Sequence, residues 1–86
     1  MTDMKTQLLH IAVFAQLKDC LPERFSKEIP ENISCAGLLE MLMAEYPDAA
    51  PVLKLSRIAS EQEIFNNGHL LSGVDKVFVL PPSSGG

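Results

Sequence analysis

Eighty-six residues, 47% hydrophobic and 21% charged, describe one folded domain around a single modest core and leave no room for a second, catalytic one. A net charge of −4 with only seven scattered Lys and Arg excludes a phosphate-tracking nucleic-acid binder, and the acidic balance suits a basic protein partner. The early apolar run Leu8 to Ala15 contains His10, is too short to span a bilayer, and lacks the basic leader and cleavage site of a signal peptide. The chain therefore reads as cytoplasmic, with no membrane among its partners.

Residues 8–15 alternate, with Leu9, Ile11, Val13 and Ala15 on one face and His10, Ala12 and Phe14 on the other. The spacing predicts a strand whose wholly apolar face is buried and whose second face presents Phe14 as a contact residue. Gln16 to Glu23 is a polar connection broken by Pro22, and Arg24 to Ile29 alternates again with Phe25, Lys27 and Ile29 in phase, so a hairpin is expected. Ser34 is an N-cap, followed at helical spacing by Cys35, Leu38, Leu39, Leu42 and Tyr46 and stopped by Pro47. Ile33 and Leu38 can form a hydrophobic staple, with Gly37 where a capping-box Glu would sit. Pro47 to Pro51 is a turn, and Val52 to Ser56 a helical turn or irregular crossing. Arg57 to Phe65 is β-like, Asn66-Asn67-Gly68 a turn, and Asp75 to Leu80 a terminal strand with Val77 and Val79 on one face and Lys76, Phe78 and Leu80 on the other.

This order, on a one-sided core of Leu9, Ile11, Val13, Ile29, Leu38, Leu42, Val77 and Val79, gives an α+β β-grasp: a mixed sheet of four to five strands covered by one main helix. If the first and last strands lie side by side, Phe14, Phe78 and Leu80 form an apolar patch on the free face. The division expected is a domain over residues 1–80 and an extended tail over residues 81–86.

Catalytic chemistry within the chain is not indicated. Cys20 and Cys35 form no CxxC pair and read as structural thiols, His10 and His69 have no triad or zinc context, and Gly37, Gly68 and Gly73 stand singly rather than in a phosphate loop. The Leu and Met content of the helix is core packing, not a cofactor pocket. No bound cofactor and no metal are expected. The informative stretch is Pro81-Pro82-Ser83-Ser84-Gly85-Gly86. The diproline favours an extended path away from the body, and two residues without Cβ can carry the Gly86 carboxylate through a narrow channel. The carboxylate itself reads as the working group.

Val13-Phe14-Ala15-Gln16, the Ser34-capped helix, Gln62 before an apolar pair, and Val77-Phe78-Val79-Leu80-Pro81-Pro82-Ser83-Ser84-Gly85-Gly86 resemble the β-grasp, ubiquitin-like sulfur carriers, and within them the molybdopterin synthase small subunit. The resemblance spans nearly the whole chain, and its hydrophobic-Pro-Pro-x-x-Gly-Gly ending is the most specific part. It implies a non-catalytic subunit of a heterotetramer. A ubiquitin-activating-type enzyme would adenylate Gly86 with ATP, a persulfide sulfur would displace AMP, and the Gly86 thiocarboxylate, presented by Gly85, would deliver sulfur to a pterin precursor in the large catalytic subunit. Two transfers would make the dithiolene that holds molybdenum. The partner-binding positions it implies are Phe14, Ile64 and Leu80, beside Phe78, Pro81 and Pro82. Ala59-Ser60-Glu61 and Ser72-Gly73-Val74-Asp75-Lys76 depart from the usual pattern. The alternatives are a carrier for cysteine or thiamine synthesis, a modifier conjugated to lysine, and an interaction module with an inert tail.

Overall fold

The computed structural model describes residues 5–82, and its sheet joins the two apolar alternations near the ends of the chain. Strand β1 (Thr6–Val13) pairs antiparallel with β2 (Arg24–Pro30), with Ile11 opposite Phe25, and parallel with β4 (Lys76–Leu80), with Ile11 opposite Val77. Strand β3 (Arg57–Ala59) pairs antiparallel with β4, so the order is β2-β1-β4-β3. A two-residue period puts Leu9, Ile11 and Val13, Ile29, Ile58, and Val77 and Val79 on one face, all 2% exposed or less. Helix α1 (Cys35–Glu45) covers that face with Cys35, Leu38, Leu39 and Leu42. This is the β-grasp, with four strands among the described residues and a short second helix, α2 (Ala50–Leu53), after a 3-10 turn at Pro47–Ala49. Each large aliphatic side chain so buried contributes about 1.5–3 kcal/mol, and all eight residues expected in the core are there.

Both helix ends are resolved by local chemistry. Ser34 Oγ accepts a hydrogen bond from Gly37 N–H at 3.0 Å, and loop carbonyls supply two further acceptors: His69 O for Cys35 N–H and Asn67 O for Ala36 N–H, each at 2.9 Å. A Cβ on Gly37 would stand 2.8 Å from Ile33 Cγ1, so glycine at that position lets Ile33 fold over the first turn. At the other end Pro47 stops the helix, and Glu45, an anion at the negative end of the helix dipole, is offset by an ion pair with Lys27 of β2.

Four expectations are corrected. Strand β1 ends at Val13, because Ala15 takes φ 54, a left-handed turn that leads into a 3-10 helix over Ala15–Asp19 and leaves Ala15 exposed. The Gln16–Glu23 connection is not polar throughout, since Leu17 and Leu21 reach the core at 1% and 3% exposed. The β-like stretch from Arg57 stops at Ala59, where Ser60 turns the chain. Cys20 is exposed rather than a buried structural thiol, unlike Cys35. The loop before β4 is held by Gln7, whose Nε2 donates to Leu71 O and Val74 O at 2.8 and 3.0 Å while its Oε1 accepts from Gly73 N–H at 3.2 Å. Gly73 sits there at φ 79, where a side chain would be strained. Among the described residues no helix is long and apolar enough to cross a membrane.

Candidate partner-docking face

The sheet face away from α1 is assembled by strand register. Ala12 lies opposite Phe78, Phe78 opposite Ala59, and Ala59 bridges Ile64, so these four form one row across three strands and the loop beyond. The two alanines are 7% and 4% exposed and form the floor beside the Phe78 ring. Phe14, 43% exposed, follows β1 in extended conformation, and its ring centroid is 5.7 Å from that of Phe78. Phe14, Ala59, Ser60, Glu61, Phe78 and Leu80 line one open groove. The half-buried Leu80 ends β4, and the half-buried Pro81 and Pro82 leave the strand from this groove. Ser83, Ser84, Gly85 and Gly86 lie outside the described residues.

Of the residues singled out in the sequence, Phe14, Phe78 and Leu80 therefore meet in one groove, and Ile64 reaches the same face by another route. Ser60 N–H donates to Glu63 O at 2.8 Å, and Ser60 Oγ accepts from Gln62 N–H and Glu63 N–H at 3.1 and 3.2 Å. That tight turn returns Ile64 beside Ala59 with 59% of its surface exposed, while Phe65 goes inward at 6%. Sequence reading identified Ile64 through resemblance alone. The strand phase of residues 8–15 put Ala12 on the Phe14 face, whereas Ala59 was not singled out.

Charge around the groove is unlike that of the chain as a whole. Arg24 lies opposite Ala12, Arg57 opposite Leu80, and Lys76 opposite His10, so three of the seven Lys and Arg stand on this face. Lys76 Nζ is 5.1 Å from the Phe78 ring centroid and 3.9 Å from Glu61 Oε1. Glu28, on β2, is the carboxylate on a strand position of this face, and its Oε1 accepts from Thr6 Oγ1–H at 3.0 Å.

His10 Nδ1 is 2.8 Å from Ser26 Oγ, and His69 stacks on Phe65 with ring centroids 4.1 Å apart. Burial pushes the Cys35 thiol above its ordinary pKa, which keeps it protonated. Among the described residues no three of His, Cys, Asp and Glu come together to hold a metal ion.

A family model, that of the ThiS family, matches residues 11–86. No curated protein matches the chain by sequence. Among solved structures, the solution structure of the HVO 2177 protein of Haloferax volcanii is similar with a TM-score of 0.81 at 20% identity, covering 100% of this chain and 92% of that one. The crystal structure of SAMP1 from Haloferax volcanii gives 0.73 at 17% identity, covering 93% and 100%. The crystal structure of the UBL domain of Plasmodium falciparum Dsk2 gives 0.66 at 12% identity, covering 91% and 100%. At these identities the solved structures show the shared fold, the ubiquitin-like β-grasp.

Proposed function

Because the chain belongs to the ThiS family, whose small ubiquitin-like carriers generally work with adenylating enzymes and catalytic subunits, we propose that it is the sulfur-carrier subunit of a molybdopterin synthase. One observation carries the reading. The hydrophobic-Pro-Pro-x-x-Gly-Gly run leaves β4 at Leu80, directly from the groove of Phe14 and Phe78, so a partner that holds the groove also holds the root of the tail.

In this reading the Gly86 carboxylate attacks the α-phosphorus of ATP on a ubiquitin-activating-type enzyme, and pyrophosphate leaves. A persulfide sulfur then attacks the acyl carbon and AMP leaves; thiolysis of the acyl disulfide yields the Gly86 thiocarboxylate. The large catalytic subunit receives that sulfur on the pterin precursor. Four residues beyond the diproline span at most about 13 Å, which is enough to enter a buried site while the body stays docked. The tail glycines carry no Cβ to obstruct the passage.

A second reading, a carrier for cysteine or thiamine synthesis, is favoured by Ser60-Glu61, which line the groove, and by the loop at residues 72–76, both of which depart from the molybdopterin pattern. Both readings are tested by incubating the chain with the adenylating enzyme of its own organism, ATP and a sulfur donor, and weighing it intact. An oxygen-for-sulfur mass gain confined to Gly86 is expected. Absence of that gain at saturating enzyme removes the carrier role. Mixing the sulfurated form with the large synthase subunit and precursor then separates the routes, since dithiolene formation is expected only for the first.

A further inference from the structure

The chain is acidic, yet the sheet face around the groove carries a cluster of cations, with Glu61 the one charged residue that lines the groove itself. Glu28 and Glu61 share the face with three of the seven cations, and each of these two carboxylates is engaged, by Thr6 and by Lys76. Among the described residues the ion pairs are Lys27–Glu45 and Lys76–Glu61, neither of which uses Arg24 or Arg57. The two arginines sit on the outermost strands, β2 and β3, with β1 and β4 between them. Three strand spacings of about 4.8 Å and a two-residue offset along the strands place their Cα positions roughly 16 Å apart across the apolar floor. Lys76 stands two residues before Phe78 on the same strand, so the cations bracket the aromatic pair from three sides.

Resting on the carrier reading above, we infer that the adenylating partner of this chain meets the groove with an apolar centre ringed by carboxylates, which Arg24, Arg57 and Lys76 select and steer. An apolar centre supplies the desolvated contacts, while rim charges act chiefly on encounter rate and on choice among partners. With the rest of the surface net negative, a carboxylate-bearing partner is attracted only in the orientation that brings it to the groove; approach to any other side is repelled. A basic partner surface, which bulk charge alone would suggest, would be misplaced here. Nucleic acid fits poorly, because the cations surround an apolar centre rather than following a track.

The test is the kinetics of adenylation of the full chain by its adenylating enzyme, over a range of NaCl concentrations. Three forms are compared: the unaltered chain, Arg24→Glu/Arg57→Glu, and Lys5→Glu/Lys54→Glu. The last has the same change of charge on residues outside the four strands. The arginine double is expected to raise KM roughly tenfold with kcat unchanged, and to weaken the rise of KM with salt seen for the unaltered chain. The lysine double is expected to leave KM within about twofold. Both arginines are exposed, so the thermal melt is expected to stay put; Arg24→Gln/Arg57→Gln gives the same direction at smaller size if the reversal unfolds the chain. A KM indifferent to the arginines, or equally sensitive to the lysines, overturns the inference while the carrier reading stands. No adenylation of the unaltered chain at saturating enzyme removes the reading and the inference with it. Arginine-dependent co-sedimentation with phosphatidylserine–phosphatidylcholine vesicles, alongside an indifferent KM, would assign the face to a membrane surface instead.

Discussion

Phe14→Ala and Ile58→Ala separate docking from folding on neighbouring parts of one sheet. Phe14 has 43% of its surface exposed and a single aromatic neighbour, Phe78, at 5.7 Å, whereas Ile58 is 0% exposed on the inner face of β3. An aromatic pair contributes about 0.5–1.5 kcal/mol beyond its burial, so loss of the Phe14 ring is expected to destabilise by about 1 kcal/mol. For a domain of this size that lowers Tm by about 4–8 °C. Truncating a buried isoleucine costs about 2–5 kcal/mol, and a mid-range 3 kcal/mol corresponds to about 12–24 °C. Association with the adenylating enzyme reverses the order. An apolar anchor at an interface centre contributes about 2 kcal/mol, so Phe14→Ala weakens binding about 30-fold, and Ile58→Ala leaves it nearly unchanged below its melting range. Differential scanning calorimetry and isothermal titration calorimetry on the same preparations make the comparison. If Phe14→Ala melts as low as Ile58→Ala and binds normally, Phe14 is core and the assignment of faces is wrong.

Removing Gly86 is expected to abolish sulfur loading by intact mass while thermal melting is unchanged, because among the described residues the buried core runs from Leu9 to Val79. Ser34→Ala takes the acceptor from Gly37 N–H and is expected to destabilise by about 1 kcal/mol in urea titration, a change that a Ser34→Asp variant should largely avoid. In a thiol-titration assay Cys20 is expected to react at once and Cys35 only after unfolding, since one is exposed and the other buried. Burial raises the Cys35 pKa, so its contribution to stability is fully present below the ordinary thiol value, about 8.5, and is lost as pH rises through the raised folded value. Unfolding free energy measured from neutral to alkaline pH should therefore fall more steeply for the native chain than for Cys35→Ala.

What the sequence disclosed follows the range of the physics involved. Strand phase and the Ser34 cap are decided within a few residues, and they placed the eight core residues and the helix start correctly. Leu17 and Leu21 were missed because their burial depends on Ala15 adopting φ 54, a local cost that only tertiary packing of the following turn can offset. The length of β3 was overestimated because Arg57 to Phe65 has strand-like composition, while Ser60 can accept from two successive N–H groups and so competes with the ladder.

The docking face divides in the same way. Phe14 and Phe78 were readable because each is the odd aromatic on a strand whose other face is wholly apolar, but whether the two faces coincide depends on pairing sixty-odd residues apart in sequence. Parallel register settles it, setting Ala12 against Phe78 rather than a residue earlier or later. A slip of one position would turn Phe78 inward and expose Val79, since side chains alternate at every residue. The same register gathers Arg24, Arg57 and Lys76 on this face, so a net charge summed over the chain does not describe the charge of the face itself. Arg24, Arg57 and Lys76 are scattered in sequence, and only the strand register brings them to one face of the sheet around Phe78.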